Sequence, residues 1–222
     1  GVIRYLRVEY TGAAFTSDKE FNGVSFFGVG NGTIVEYVQA YKSGDDGIEF
    51  FGGTVNAKYL IALHSEDDAV DFADGFSGTL ENVFIKDVEK EGIEGSKKWD
   101  NGNATPTTDN TLKNFTILKG DLAGSEHGMY LKEGAGKWDC QNIYIDGFTK
   151  GLKIKNSTDD PAANTNVDNG NIVFNPIYFG ASVTTNSEYT GTNTTYLTVG
   201  SNTGAGNSGS TPTWATGWTI GL

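Results

Sequence analysis

Apolar positions along this chain fall into two short patterns that alternate. The first runs polar, Tyr or Asn, apolar, any residue, apolar. It appears as Arg4-Tyr5-Leu6-Arg7-Val8, Glu36-Tyr37-Val38-Gln39-Ala40, Lys58-Tyr59-Leu60-Ile61-Ala62, Glu81-Asn82-Val83-Phe84-Ile85, Lys113-Asn114-Phe115-Thr116-Ile117 and Gln141-Asn142-Ile143-Tyr144-Ile145, and Asn171-Ile172-Val173-Phe174 reads as a seventh. The second is Gly or Ala followed by apolar, polar, apolar: Gly23-Val24-Ser25-Phe26, Gly47-Ile48-Glu49-Phe50, Ala69-Val70-Asp71-Phe72, Gly92-Ile93-Glu94, Gly128-Met129-Tyr130-Leu131 and Gly151-Leu152-Lys153-Ile154. Alternation of period two, rich in β-branched and aromatic residues and cut by Gly, Asn and Asp, predicts strands rather than helices.

The first strands recur at spacings of 32, 22, 23, 32, 28 and 29 residues, so the base unit is about 22 residues with insertions. A repeat of that length predicts a solenoid. Stacked about 4.8 Å apart, its coils would line Leu6, Val38, Leu60, Val83, Phe115 and Ile143 into one interior column. Tyr5, Tyr37, Tyr59 and then Asn82, Asn114, Asn142 would form a ladder beside it. The expected fold is therefore all-β, a right-handed parallel β-helix of six to seven coils. Polar insertions at Thr11–Phe21, Ser96–Asn110 and Ser157–Gly170 mark exposed loops. Coils are expected over 1–180. Residues 181–222, rich in Thr, Asn and Gly, read as a loop-rich C-terminal cap or a linker, with Trp214 and Trp218 packed over the last coil.

Composition narrows the functional classes. The net charge of −12 and pI near 4.5 argue against a nucleic-acid surface, which needs a basic footprint. Acidity also opposes adhesion to anionic lipid, and no run of 18 apolar residues exists to insert in a membrane. The single cysteine, Cys140, makes no internal disulfide. GVIRYLRVEY begins as a strand already under way, so the chain reads as part of a longer secreted protein.

The sharpest local signal is acidic. Ser43-Gly44-Asp45-Asp46-Gly47-Ile48-Glu49-Phe50 aligns position by position with Ser65-Glu66-Asp67-Asp68-Ala69-Val70-Asp71-Phe72, one coil later. Asp45 should lie over Asp67, Asp46 over Asp68 and Glu49 over Asp71, with Asp74 nearby. Like charges about 5 Å apart repel by a few kcal/mol at an effective dielectric near 20. Three roles fit these carboxylates: turn caps on the outside of the coil, ligands of Ca2+, which favours oxygen cages, or catalytic groups. Further along the turn column come Glu91, His127 and Lys150, which read as a salt-bridge ladder or as a groove. Trp99, Trp138 and His127 are candidate glycan contacts, since aromatic faces stack on sugars. No HExxH, CxxC or GxSxG motif is present.

The runs IRYLRVEYTG and NGVSFFGVGNGTIVEYVQAYKSGDDGIEFFGGTVNAKYLIALHSEDDAVDFADGFSG resemble the secreted β-helix surface proteins of marine and Bacteroidota-type bacteria, usually with a C-terminal secretion-sorting domain. The resemblance implies a pectate-lyase-like β-helix in the medium or on the outer cell surface of a bacterium. The wider superfamily holds polygalacturonases, and Asp45, Asp46, Asp67, Asp68, His127 and Lys153-Ile154-Lys155 resemble their elements, but with two or three coils between acid and His where one is expected. Two functional classes follow. One is a non-catalytic surface module, an adhesin or a structural or glycan-binding stalk, stabilised by calcium and meeting a polysaccharide or a cell-surface partner. The other is a lyase or glycoside hydrolase acting on acidic polysaccharide.

Overall fold

The computed structural model describes residues 1–16, 20–98, 101, 104–124, 127–156, 163–206 and 208–222. In chain order the strands are β1 (Val2–Glu9), β2 (Val24–Phe27), β3 (Ile34–Ser43), β4 (Ile48–Phe51), β5 (Asn56–Ser65), β6 (Val70–Ala73), β7 (Thr79–Val88), β8 (Ile93–Gly95), β9 (Asp109–Leu118), β10 (His127–Leu131), β11 (Lys137–Asp146) and β12 (Lys150–Ile154). The helix α1 (Ala163–Asp168) follows, then β13 (Ile172–Phe179), β14 (Thr185–Glu188) and β15 (Leu197–Val199), and a 3-10 turn at Thr213–Ala215.

Odd-numbered strands form one eight-stranded sheet in the order β1-β3-β5-β7-β9-β11-β13-β15. Even-numbered strands form a seven-stranded sheet from β2 to β14, and every pairing in both is parallel. This is a parallel β-helix. The expected register holds through six coils: Leu6 pairs with Val38, Val38 with Leu60, Leu60 with Val83, Val83 with Phe115 and Phe115 with Ile143. Facing columns Val24-Ile48-Val70-Ile93-Met129-Leu152 and Phe26-Phe50-Phe72 complete the core. Cys140 falls in the interior column with Leu112 and Phe174, which explains a lone cysteine as a small apolar filler. Gly95 ends the Phe26-Phe50-Phe72 column because the Trp138 ring fills the place its side chain would take.

The ladder residues do more than stack. Tyr5, Tyr37, Tyr59, Asn82, Asn114 and Asn142 all take left-handed backbone conformations, with φ between 55° and 60°. Each bends its long strand at the same level of the solenoid. This conformation is unfavourable for most side chains and easiest for Asn. Repetition offsets the cost. The tyrosine rings stack at 4.6 and 4.5 Å, Asn114 Nδ2 donates to Asn82 Oδ1 at 3.0 Å, and Asn142 Nδ2 donates to Asn114 Oδ1 at 2.8 Å.

Three features depart from the sequence expectations. The seventh long strand is shifted five residues from its expected register, because Ile143 pairs with Ile177, not Ile172. That register puts Pro176 at the ladder position, where a Tyr or Asn was sought. Second, the insertion before it contains α1, whose Ala163 and Val167 are buried. Asp168 ends that helix and accepts hydrogen bonds from the Tyr189 hydroxyl and from Thr192 and Asn193, which pull its carboxyl down to about 2. Third, residues 181–222 carry β14 and β15, which extend both sheets.

The tryptophans of this region lie against the first coils, not the last. Trp218 meets Tyr37 and Tyr5 edge-on at 5.6 and 6.3 Å, and Trp214 lies 5.3 Å from Tyr59. The tail turns back along the outer face of the eight-stranded sheet, from Asn202 at Ile143 to Ile220 at Gln39. Ile61, Leu63 and Phe84 point outward there and form a second small core with Ala205 and Ala215. The apolar flank needed covering more than the end did.

The ladder yields a stability prediction. Asn114→Ala removes two amide bonds and leaves a left-handed alanine, a loss of about 2 kcal/mol. Asn114→Gly removes the same bonds but accepts the backbone angle, so its urea midpoint should lie above that of Asn114→Ala. Equal midpoints would show that the backbone conformation carries no cost.

Candidate functional site

The turn entering β4 carries Asp45 and Asp46, and the turn entering β6 carries Asp67 and Asp68. Asp46 and Asp68 are 8% and 4% exposed. Asp46 Oδ1 accepts the Asp68 backbone N–H at 3.0 Å, and Asp68 Oδ1 accepts that of Glu91 at 2.7 Å. Each carboxylate thus ties its own turn to the turn of the next coil: the side-chain-to-backbone bonding expected of a turn cap is present, but the carboxylates are buried, not on the outside as expected.

Strand register adds a second column. Glu49 pairs with Asp71 and Asp71 with Glu94, all on the outer face of the seven-stranded sheet. The two columns converge into three sets, within each of which one oxygen per residue lies within 4.8 Å of the others: Asp45-Asp46-Asp67 and Asp46-Glu49-Asp71, which share Asp46, and Asp68-Glu91-Glu94. Asn22 donates its amide to Glu49. Lys90 pairs with Asp67 at 2.7 Å, and Lys132 reaches Glu94. Asp45, Asp67, Glu20, Glu66 and Lys90 rim an open hollow of about 320 Å3. Asp71 Oδ1 is sealed from solvent with no hydrogen-bond partner.

So many carboxylates cannot all stay ionised. Burial raises Asp46, and the charges of Glu49, Asp67 and Asp45 raise it further. Burial followed by Glu94 and Asp46 lifts Asp68, and burial followed by Asp46, Glu94 and Glu49 lifts Asp71. Glu49 is pushed up to about 7 by desolvation, against the Asn22 hydrogen bond. Desolvation also raises Glu94, against Lys132. Burial works against the Lys132 ammonium, but Glu94 outweighs it and holds that lysine protonated.

Of the residues expected at a metal site, Asp45, Asp46, Glu49, Asp67, Asp68 and Asp71 come together. Asp74 does not. It occupies a left-handed turn after β6 (φ 54°), where Gly52 sits one coil earlier, and lines a separate hollow with Lys97 and Pro106. Glu91 and Glu94 join the cluster without having been expected there, although both lie on the repeat: Glu91 follows Asp68 in the turn column and Glu94 follows Asp71. Lys132, four residues after Gly128, carried no such signal.

The glycan candidates fare differently. Trp138 is 1% exposed, donates Nε1 to Ala135 O at 2.9 Å and lies 4.6 Å from Phe72, so it is a core residue with no face for a sugar. Its register opposite Ile172 and Asn110 turns it inward. His127 is buried between Glu91, 3.5 Å from Nδ1, and Glu188, 2.9 Å from Nε2, and Lys150 meets Glu188 at 2.9 Å. Glu91, His127 and Lys150 thus form a contact row bridged by Glu188, a residue of the segment read as a cap. Trp99 lies outside the described residues. A polar hollow of about 430 Å3, lined by Asn31, Glu36, Asn56, Lys58 and Glu81 among others, sits on the other sheet.

The acidic face should govern stability against pH. Glu49, Asp46, Asp68, Asp71 and Glu94 all have raised pKa values when folded, so the folded state binds more protons than the unfolded chain above the ordinary carboxylate range. Their contribution is full at low pH and is lost as pH rises through the folded values, for Glu49 about 7. In a chelating buffer the urea midpoint should fall between pH of about 5 and 7.5, and Glu49→Gln should flatten that fall. A midpoint that rises over the interval would contradict the assignment.

These features can be set beside known proteins. Searches of curated proteins and of solved structures give no match. A family model described as pectate-lyase like beta helix domain matches residues 1–219. With two parallel sheets in coil-by-coil register over nearly the same span, the chain belongs to the pectate-lyase-like β-helix domain family.

Proposed function

We propose that this chain is a non-catalytic, calcium-stabilised β-helix module that works outside the cell or at its surface, as an adhesin or a structural or glycan-binding stalk. The observation that carries the reading is the convergence of Asp46, Glu49 and Asp71, with Asp71 Oδ1 buried and unpartnered. The donors are all oxygen, the set that hard cations select, and Ca2+ accepts the irregular geometry of carboxylates from neighbouring coils. A bound cation would replace the protons that otherwise relieve the cluster. Family membership supports an extracellular setting, where calcium is plentiful and a solenoid of this kind typically works.

The non-catalytic part rests on the neighbouring cations. A lyase needs a neutral base, and Lys132, one of the lysines paired with this cluster, is held protonated by Glu94. One observation favours the second reading, hydrolysis of an acidic polysaccharide. Glu49 titrates at about 7 beside Asp71, which suits a general acid. Their closest oxygens leave less than the roughly 6.5–9.5 Å of an inverting pair and approach the roughly 5 Å of a retaining one.

Saturating Ca2+ should raise the melting temperature by about 5 °C or more over the EGTA-treated protein, and Asp71→Asn should abolish the difference. A parent melting curve indifferent to the chelator would remove the calcium proposal. Incubation with acidic polysaccharides should release neither unsaturated products nor new reducing ends. Product that appears with the parent and vanishes with Glu49→Gln would replace the first reading with the second.

A further inference from the structure

We infer that Lys132 is the built-in cation of the Asp68-Glu91-Glu94 set, and that it limits the acidic face to a single calcium ion. This rests on the calcium reading proposed above, and it adds where the ion sits and how many the face holds.

The three carboxylate sets differ in what already offsets their charge. In Asp68-Glu91-Glu94 every member has a polar or charged partner beside it. Asp68 Oδ1 accepts the Glu91 N–H at 2.7 Å, Glu91 Oε1 lies 3.5 Å from His127 Nδ1, and Glu94 Oε1 meets the Lys132 ammonium. In Asp45-Asp46-Asp67 the Lys90 ammonium lies 2.7 Å from Asp67. The middle set, Asp46-Glu49-Asp71, is different. Among the described residues, no lysine, arginine or histidine pairs with any of its three carboxylates. Glu49 is met by the neutral Asn22 amide, and Asp71 Oδ1 is buried with no partner.

A hard divalent cation settles where oxygen charge is least compensated, which is the middle set. An ammonium seated on Glu94 repels a second such ion from the Asp68-Glu91-Glu94 oxygens. The remaining set shares Asp46 with the middle one and keeps Lys90, so it offers no independent place.

The fold holds Lys132 at this height. The outward column of the seven-stranded sheet runs Glu49, Asp71, Glu94, Tyr130, turning from acid to aromatic at the coil that supplies the lysine. Lys132 stands two residues past Tyr130, and its N–H donates to Gly95 O at 3.0 Å. Its ammonium bends back to Glu94, with Glu133 at 4.0 Å. Directly after it come four left-handed residues in a row, Glu133, Gly134, Ala135 and Gly136, with φ of 49°, 76°, 52° and 87°. Such a run, two of its members not glycine, persists only where the surroundings hold it. Here the Ala135 N–H donates to Lys132 O at 2.8 Å, the Lys97 N–H to Glu133 O at 3.2 Å and Trp138 Nε1 to Ala135 O at 2.9 Å.

Equilibrium dialysis of the chelator-stripped whole chain against Ca2+ counts the ions. The parent should bind one per chain. Lys132→Gln, which keeps a donor for Glu94 but not the charge, should bind two, whereas Lys132→Arg should stay at one. Lys58→Gln removes the same charge from the other sheet and should also stay at one, which separates the seat from the net charge. Glu94→Gln, a second variant that does not depend on Lys132→Gln folding, should keep the single ion, because that ion sits on Asp46, Glu49 and Asp71. A parent that binds no ion overturns the calcium reading itself. A parent that binds two or more, a Lys132→Gln that still binds one, a second ion in Lys132→Arg or Lys58→Gln, or loss of the ion in Glu94→Gln overturns the role of Lys132 and leaves the calcium reading in place.

Discussion

Each coil of this protein must place its backbone N–H groups under the carbonyls of its neighbour, in parallel and in register, and everything else follows from that constraint. Once Val38 is fixed over Leu60 and Leu60 over Val83, every residue in the unit is fixed over its counterpart. A conformation that one residue could scarcely sustain becomes sustainable as a column. The left-handed bend at Tyr5, Tyr37 and Tyr59 is supported by ring stacking, and the same bend at Asn82, Asn114 and Asn142 by an amide chain. The switch from tyrosine to asparagine changes the chemistry of the ladder without changing its geometry.

The same constraint has an electrostatic consequence. Repeating an acidic turn at one coil's interval forces carboxylates together, as it forces rings together, but now the stacking repels. The chain relieves that repulsion in several ways at once. Asp46 and Asp68 accept backbone N–H groups, Lys90 and Lys132 bring positive charge, and burial favours protons on Glu49 and Asp71. The three oxygen sets are the part of this arrangement open to a cation. Farther along the column His127 lies between Glu91 and Glu188, and Lys150 pairs with Glu188.

The tail shows that the outside of a solenoid also makes demands. Apolar Ile61, Leu63 and Phe84 stand on the outer face of the eight-stranded sheet, and Gln39 beside them is fully buried. The last residues run back over this flank, and Ile220 satisfies both ends of the Gln39 amide, at 2.7 and 3.0 Å.

The repeat was legible because its spacing is short and its side chains alternate, and from it came the sheets, the core columns and the juxtaposition of Asp45 with Asp67, Asp46 with Asp68 and Glu49 with Asp71. Where the pattern lapsed, the reading lapsed. Asn171-Ile172-Val173-Phe174 imitates the strand motif more closely than the segment around Pro176 that actually continues the register. Trp138 looked like a loop residue, yet its register turns it inward, over Gly95. Sequence by itself thus determined which residues stack, since local alternation and a constant interval are one-dimensional properties. Only the tertiary structure decided what lies across the surface between distant segments: Lys132 beside Glu94, Glu188 beside His127 and Trp218 against Tyr37. Those contacts depend on how insertions and the tail fold over the coils, and no interval along the chain encodes that path.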